Sequence, residues 1–237
     1  MFNKMPLSLR LAGGFFVVTL LAVIVAALGF ISIKQLNDDV DSVVNNHFPK
    51  VVETNDIVDQ VNGIARMMRD AMLADTVEDA KKEIARLDEP RKVIVARLEK
   101  LEKTIQSEKG KAQLKATMDA RTIYRAQQDE FTSLLIAGKR NEAKASLMGP
   151  MRAAQDKYLA AISQFIDYET QRMAEVGKEA ADSANSAERM MMIFGAIAVA
   201  LASIIAFLLT RSVLKQLGGD PSYVVSCMKH VEEGNLG

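Results

Sequence analysis

The uncharged stretch Met190–Thr210, MMMIFGAIAVALASIIAFLLT, decides how the rest of the chain is organised. It lies between Arg189 and Arg211, and its length matches the ~20 residues that a helix needs to cross a hydrocarbon core about 30 Å thick. Lipid offers the backbone no hydrogen bonds, so a lone spanning segment must be helical. The stretch therefore predicts a transmembrane helix.

A second uncharged block, Leu11–Ile33 (LAGGFFVVTLLAVIVAALGFISI), lies near the N-terminus. A secretory signal peptide usually has an apolar region of only ~7–15 residues, and this block is longer. We therefore predict a first membrane helix that the mature protein retains. A cleaved signal peptide is the alternative interpretation.

The charges that flank these two blocks predict the topology. Lys4 and Arg10 precede the first block without an acid, and Arg211 and Lys215 follow the second. Cytoplasmic flanks of membrane helices carry such an excess of basic residues. We expect both termini in the cytoplasm and the segment 34–189 on the outer side of the membrane.

The composition excludes several classes of function. Thirty basic residues are balanced by thirty acidic ones, so the chain has no nucleic-acid signature. His47 and His230 fall on opposite sides of the predicted membrane, and Cys227 is the only cysteine, so no metal site is expected. His47 is expected to be a packed residue. We predict no catalytic residue, no cofactor and no enzymatic activity.

A heptad pattern follows the first membrane helix and predicts a coiled-coil-like seam. One set of positions is Val44, Val51, Val58, Ala65 and Met72, and the interleaved set is Val40, His47, Thr54, Val61 and Met68. Pro49 lacks an amide hydrogen, so a local break is expected after Phe48. Asp75 and Thr76 should end this helix, with Thr76 and Asp79 capping the next one.

Three more helices are predicted after this turn. The first covers about 77–106 and should bend at Pro90 without ending, because its apolar stripe keeps its phase. The second covers about 111–137, with Gly138 as a left-handed residue after its end. The inward residues of this second helix are expected to be Leu114, Met118, Tyr124, Phe131 and Leu135.

The last predicted helix begins at Pro150, which suits a first helical position, after a short extra turn at Asn141–Leu147. It can run without interruption into the second membrane block. Four helices joined by short turns predict an antiparallel four-helix bundle. The fold class is therefore all-α and transmembrane, with an extracytoplasmic bundle.

Polar residues beside the heptad seam form the candidate ligand site. Asn55, Asn62 and Arg69 recur every seven residues, and Arg66 lies one turn from Arg69 on the same side. A solvated helix flank is one interpretation. The other is a pair of guanidinium groups that binds a carboxylate where two subunits meet, since arginine donates two parallel hydrogen bonds.

Motifs at the C-terminal end carry a family resemblance. Thr210-Arg211-Ser212-Val213, Leu217-Gly218-Gly219-Asp220-Pro221 and Gly234-Asn235-Leu236 resemble the first helix and the connector of a HAMP linker. Gln216 stands where many HAMP linkers have a proline. With these motifs, the layout resembles the N-terminal part of a bacterial methyl-accepting chemotaxis receptor.

The resemblance implies a homodimeric receptor of the bacterial inner membrane. Its segment 34–189 would be periplasmic and would bind a small organic acid or amino acid. The receptor would signal to a chemotaxis kinase and adaptor through a cytoplasmic region that this chain does not contain. Ligand contacts would come from Arg66 and Arg69, with Gln155 and Tyr158 opposite them. Arg152 lies on the same stretch, but it is equally well explained as a surface charge at a helix start.

Two other classes of protein remain open. The sensor half of a membrane histidine kinase, or another HAMP-containing transducer, would share the bundle and the linker. A membrane-anchored coiled-coil protein without signalling function would not need the HAMP-like motifs.

We expect the chain to be a fragment or a truncated product that ends within HAMP. The predicted segments are a cytoplasmic N-terminus (1–10), a first membrane helix (11–33), the ligand-binding bundle (34–189), a second membrane helix (190–210) and a partial HAMP domain (211–237).

Overall fold

The computed structural model describes residues 7–217, which form helices and short connecting turns. They divide into two compact units. The first, called here the apolar pair, consists of the described residues up to Asn37 and from Ala180 onward. The second, called the bundle, is Asp38–Glu179. The residues 218–237, which carry most of the predicted HAMP segment, lie outside the described part.

The helices follow one another with short connections. They are α1 (Leu7–Asp41), a π-helical segment (Ser42–His47), α2 (Phe48–Leu73), α3 (Val77–Ala85), α4 (Asp88–Thr104), α5 (Glu108–Ile136), α6 (Arg140–Met148) and α7 (Pro150–Leu217). Both predicted membrane segments are helical, within α1 and α7. The all-α prediction with a four-helix bundle is confirmed, the bundle consisting of α2, α3 with α4, α5 and the first part of α7.

The irregularity predicted after Phe48 lies before it, as the π-helical segment, and the helix does not break after Phe48. The Phe48 N–H donates to the carbonyl of Val43, five residues earlier, and Pro49 follows at the start of α2. Proline has no amide hydrogen, and its ring crowds the carbonyl four residues before it. The wider π turn accommodates both effects without ending the helical path.

The buried face of α2 differs from the predicted seam. Val61 and Met68 of that seam are fully buried, but Val44 is 52% exposed. Ile57 and Ile64, which the heptad pattern did not include, are 0% and 1% exposed. Because α2 packs against both α3 and α4, its buried face is wider than a two-helix seam and is centred on these isoleucines.

The predicted continuous helix over 77–106 is wrong. The helix is interrupted between Ala85 and Asp88, where the N–H groups of Arg86 and Leu87 bond to carbonyls only three residues earlier. Pro90 lies in the first turn of α4 and offers the Arg86 carbonyl no hydrogen. The apolar stripe nevertheless keeps its phase, and Leu87 is completely buried.

The predicted helix ends and starts agree with the structure. Thr76 caps α3 by accepting a hydrogen bond of 3.0 Å from the Asp79 N–H. Gly138 has φ of +75°, in the left-handed region that glycine adopts without strain. Pro150 begins α7, and the extra turn is the helix α6.

One predicted core residue of α5 is placed wrongly. Met118 is 36% exposed, whereas Thr117 beside it is 1% exposed. The Thr117 hydroxyl donates to the carbonyl of Gln113 at 3.0 Å, which lets a polar side chain occupy the buried position. Leu114, Tyr124, Phe131 and Leu135 are buried as predicted.

The apolar pair consists of two helices that are long and apolar enough to cross a membrane, and their apolar windows are not buried. Small residues mark the contact between them. A Cβ added to Gly14 would lie 2.6 Å from Cγ2 of Ile205, and one on Gly29 would lie 3.6 Å from the Met191 sulfur. The Gln35 amide donates to the Ser183 hydroxyl at 3.3 Å. The residue numbers rise on one helix as they fall on the other, so the helices are antiparallel.

Candidate ligand-binding site

A polar cavity of about 320 Å³ lies between α2, α6 and the beginning of α7. This volume falls in the range typical of small-molecule sites. The turn at Gly149, followed by Pro150, ends α6 and starts α7, so side chains of both helices meet here. The lining residues are Ala65, Arg69, Leu147, Met148, Met151, Arg152, Gln155 and Asp156.

Two arginines from different helices give this cavity its charge. Arg69 comes from α2 and Arg152 from α7, and both side chains are exposed. Within residues 7–217, neither guanidinium has a carboxylate within 4.0 Å, although Asp156 also lines the cavity. The cavity therefore contains two cations that are free to accept an anion.

The rest of the lining supplies one neutral polar group and an apolar base. Gln155 carries an amide that can both donate and accept, and Met151 is 1% exposed. Met148 is 60% exposed at the rim. This combination suits a small solute that has a carboxylate and a less polar remainder.

The structure brings only some of the predicted ligand residues together. Arg69 and Gln155 line the same cavity, whereas Asn62 and Arg66 do not line it. Arg66 is exposed, and its terminal nitrogen lies 3.8 Å from where a Cβ of Gly63 would be, over the surface of α2 itself. Arg66 therefore lies outside this cavity, and the pairing of Arg66 with Arg69 at a subunit interface stays a prediction.

Tyr158 is placed in the interior and away from this cavity. It is 1% exposed, and its ring centre lies 6.0 Å from that of Tyr124 at an angle of 37°. It is a core residue here, because residue 158 continues the buried stripe of α7 one turn after Ala154. The heptad argument did not select Arg152, Asp156 or the α6 residues for this cavity. The signal that could have found them is the Gly149-Pro150 turn.

His47 has a structural partner in the bundle. Its Nδ1 lies 2.6 Å from Oε2 of Glu169, and the two side chains are 12% and 2% exposed. The prediction that His47 is packed is confirmed. In the described residues there is no group of three or more His, Cys, Asp or Glu side chains that could hold a metal ion.

A helical bundle with a two-arginine cavity, connected to helices long enough to span a membrane, has the architecture of a membrane-anchored sensory module. The family model described as a four helix bundle sensory module for signal transduction matches residues 4–184. The chain belongs to this family, and the match agrees with the predicted resemblance to the N-terminal sensor region of a methyl-accepting chemotaxis receptor. A comparison with curated proteins finds no match to the chain.

Proposed function

We propose that the protein is a transmembrane chemoreceptor of the bacterial inner membrane whose periplasmic bundle binds a small carboxylate in the cavity between α2 and α7. The observation that carries this proposal is the placement of Arg69 and Arg152 around one cavity without an acidic partner. The protein acts as a receptor and catalyses no reaction.

The two arginines explain why the ligand is an acid. A carboxylate between Arg69 and Arg152 accepts charge-assisted hydrogen bonds, each contributing about 1.5–3 kcal/mol when it is partly desolvated. Gln155, which lines the same cavity, selects a ligand with a second polar group, such as a hydroxy acid or an amino acid.

The ligand then biases the position of α7. Arg152 and Gln155 lie on the helix that also carries the second apolar stretch, because α7 is continuous from Pro150 to Leu217. A ligand can shift signalling only by its difference in affinity between two helix arrangements, typically ~1–3 kcal/mol. The HAMP segment passes this shift to a chemotaxis kinase and its adaptor.

An exposed apolar stripe supports a homodimer. Val40, Val44, Phe48 and Val52 are each about half exposed and follow one another at four-residue spacing. Neighbours at this spacing share one face of a helix. A second copy of the chain would cover this face, as the family resemblance implies.

The alternative is a sensor module that serves a membrane histidine kinase or another HAMP-containing transducer. The family description names signal transduction in general, and it fits this alternative as well. The outer domain would bind its ligand in the same way, and the output domain alone would differ.

A thermal-shift screen of the segment 34–189 against organic acids and amino acids tests the binding proposal. Calorimetry with the strongest acid should show that Arg69→Ala and Arg152→Ala each weaken binding about tenfold or more. Arg66→Ala is the matched control, because it removes the same charge from the same helix outside the cavity.

The result that contradicts the proposal is equal affinity for the wild type and both cavity variants. If Arg66→Ala alone weakens binding, the acid lies on the outer flank of α2. In that case the arrangement predicted from the heptad pattern is correct and the cavity is not the ligand site.

A further inference from the structure

A second cationic cavity lies in the groove between α4 and α5, on residues that the proposed function does not use. Its volume is about 430 Å³, larger than that of the α2 and α7 cavity, and the two share no lining residue. Four basic and two acidic side chains line this groove. The lining residues are Asp88, Arg91, Lys92, Val95, Ala96, Glu99, Arg121 and Arg125.

Two of the arginines share one neutral acceptor. Arg91 donates to Oε1 of Gln128 at 3.0 Å, and Arg125 approaches the same oxygen at 3.4 Å. Arg91 also lies 3.7 Å from both Asp88 and Asp129, and Arg125 pairs with Asp129 at 3.3 Å. The Nε of Arg91 is buried without a hydrogen-bond partner. The positive charge here is therefore only partly neutralised.

Arg121 is the third arginine and has no partner at all among residues 7–217. No acid lies within 4.0 Å of it, and it makes no hydrogen bond to the described residues. Its side chain is half-buried beside Tyr158. Burial raises the pKa of the Tyr158 hydroxyl, and the charge of Arg121 partly opposes this rise. A half-buried guanidinium in this position can donate charge-assisted hydrogen bonds to an anion from solution.

The floor of the groove supplies hydrogen-bond donors. A small inner cavity of about 20 Å³, roughly the space of one water molecule, is lined by Tyr124 and Tyr158 together with the three arginines. The rings are 2% and 1% exposed, and neither hydroxyl has a hydrogen-bond partner of normal geometry among the described residues. Burial raises the pKa of Tyr124 to about 12, with Gln128 and Arg69 lowering it in part. Both hydroxyls are therefore neutral donors at neutral pH.

We propose that this groove binds a small oxyanion with two or more negative groups, carboxylate or phosphate, held by Arg91, Arg121 and Arg125. A single carboxylate would leave at least one of these cations unpaired, whereas a dianion or trianion can bridge from α4 to α5. The Tyr124 and Tyr158 hydroxyls are available to the anion through one water molecule in the inner cavity. This groove shares no lining residue with the α2 and α7 cavity, so experiments can support or refute binding at each site independently.

Calorimetry with the full chain in phosphatidylcholine nanodiscs tests this proposal, with citrate, inorganic pyrophosphate and acetate as probes. We expect citrate or pyrophosphate to bind at least tenfold more tightly than acetate, and the stronger of the two identifies the anion as a carboxylate or a phosphate. Arg121→Gln should weaken that binding about tenfold or more, since it removes the unpaired cation. Arg125→Gln provides a second variant of the same site.

Two control variants separate this site from general charge attraction and from the receptor site. Lys115→Gln removes an exposed charge elsewhere on α5, where the side chain is 75% exposed, and should leave the affinity unchanged. Arg152→Ala, which alters the α2 and α7 cavity, should also leave it unchanged, even if that variant abolishes binding there.

Three results would overturn the proposal. The first is that neither citrate nor pyrophosphate binds at millimolar concentration. The second is that Arg121→Gln and Arg125→Gln both fold, by circular dichroism, and keep wild-type affinity. The third is that Lys115→Gln weakens binding as much as they do, which shows non-specific attraction.

Discussion

The bundle and the apolar pair place the same residue type in opposite environments. Phe131 and Phe165 in the bundle are 0% and 1% exposed, whereas Phe15, Phe16 and Phe30 in the apolar pair are 66%, 68% and 71% exposed. A bundle in water must bury its apolar side chains against one another, but a helix in lipid need not. This difference is what we expect of a chain with one part in water and another part long and apolar enough to cross a membrane, and α7 contributes to both units.

Polar groups follow the same division. The bundle keeps polar side chains in its interior by pairing them, as with His47 and Glu169. The apolar pair carries hydroxyls that bond to carbonyls of their own helix: Ser203 to Val199 at 2.9 Å and Thr210 to Ala206 at 2.8 Å. Lipid offers no hydrogen-bond partner to a polar group. A polar side chain therefore has a low free-energy cost there only when it is hydrogen-bonded within its own helix.

Replacing a phenylalanine in each unit should sharpen this comparison most. Phe131→Ala in the segment 34–189 should lower the free energy of unfolding by about 3–5 kcal/mol, because it leaves a cavity in the core. Phe30→Ala is the matched control in the full chain, and the bundle should unfold at the wild-type denaturant concentration. Guanidinium titrations followed by circular dichroism would measure both. A bundle that tolerates Phe131→Ala would refute the core described here.

Removing one partner of the buried pair should have the next largest effect. His47→Ala leaves the Glu169 carboxylate, which is 2% exposed, without its partner and should lower the free energy of unfolding by about 3 kcal/mol. The double variant His47→Ala with Glu169→Leu removes both polar groups and should be more stable than His47→Ala. Equal stability of the single and double variants would show that the two side chains are not coupled.

The helix contact in the apolar pair can be disrupted at Gly14, and the neighbouring Gly13 provides the control. Gly14→Leu places a side chain where even a Cβ would lie 2.6 Å from Ile205, whereas an added Cβ at Gly13 has no atom within 4 Å. Overpacking of this kind typically costs about 1–3 kcal/mol. An oxidised cross-link between Gln35→Cys and Ser183→Cys would report the helix contact, in a chain whose native cysteine is replaced by Cys227→Ser. The yield of this cross-link should fall when Gly14→Leu is added. Gly13→Leu should leave this yield unchanged, and equal losses for both would contradict the helix contact.

The cap of α3 should give the smallest change. Thr76→Ala removes the side-chain acceptor of the Asp79 N–H and should cost about 1 kcal/mol. The pKa of Asp79 is lowered by hydrogen bonds from Lys82 and Thr76. Since its folded pKa lies below the unfolded one, the stabilisation from this carboxylate is present at neutral pH and is lost as the pH falls through the folded pKa.

The difference between wild type and Thr76→Ala should therefore be smaller in acid than at neutral pH, because the link to the Asp79 carboxylate is then already lost. Thr122→Ala is the control, since the Thr122 hydroxyl bonds only to the carbonyl of Met118 within its own helix. A larger effect of Thr122→Ala than of Thr76→Ala would contradict the cap.

Local chemistry made much of this fold predictable from sequence. The absence of charge marked both apolar helices, Thr76 and Pro150 marked two helix starts, and Gly138 marked a helix end. Each of these depends on a few neighbouring residues. Packing between helices depends on distant residues, and it decided that Ile57 and Ile64 face the core.

The candidate site divides in the same way. The pattern on α2 selected Arg69, and the family resemblance supplied Gln155 as the residue opposite it. It could not separate Arg69 from Arg66, because the rotation of α2 depends on which of its faces packs against α3 and α4. The unpaired state of Arg121 is a property of three-dimensional neighbours, and no spacing along the sequence reveals it.

Placement of the bundle outside the membrane, with both chain ends inside, is tested most directly by enzyme fusions in a bacterial host. Alkaline phosphatase is active only after export. Fusion after Asn185 should therefore give high activity, and fusion after Gly237 should give none, as the basic residues Lys4, Arg10 and Arg211 predict. The reverse pattern, or activity at both positions, would contradict a periplasmic sensor between two membrane helices.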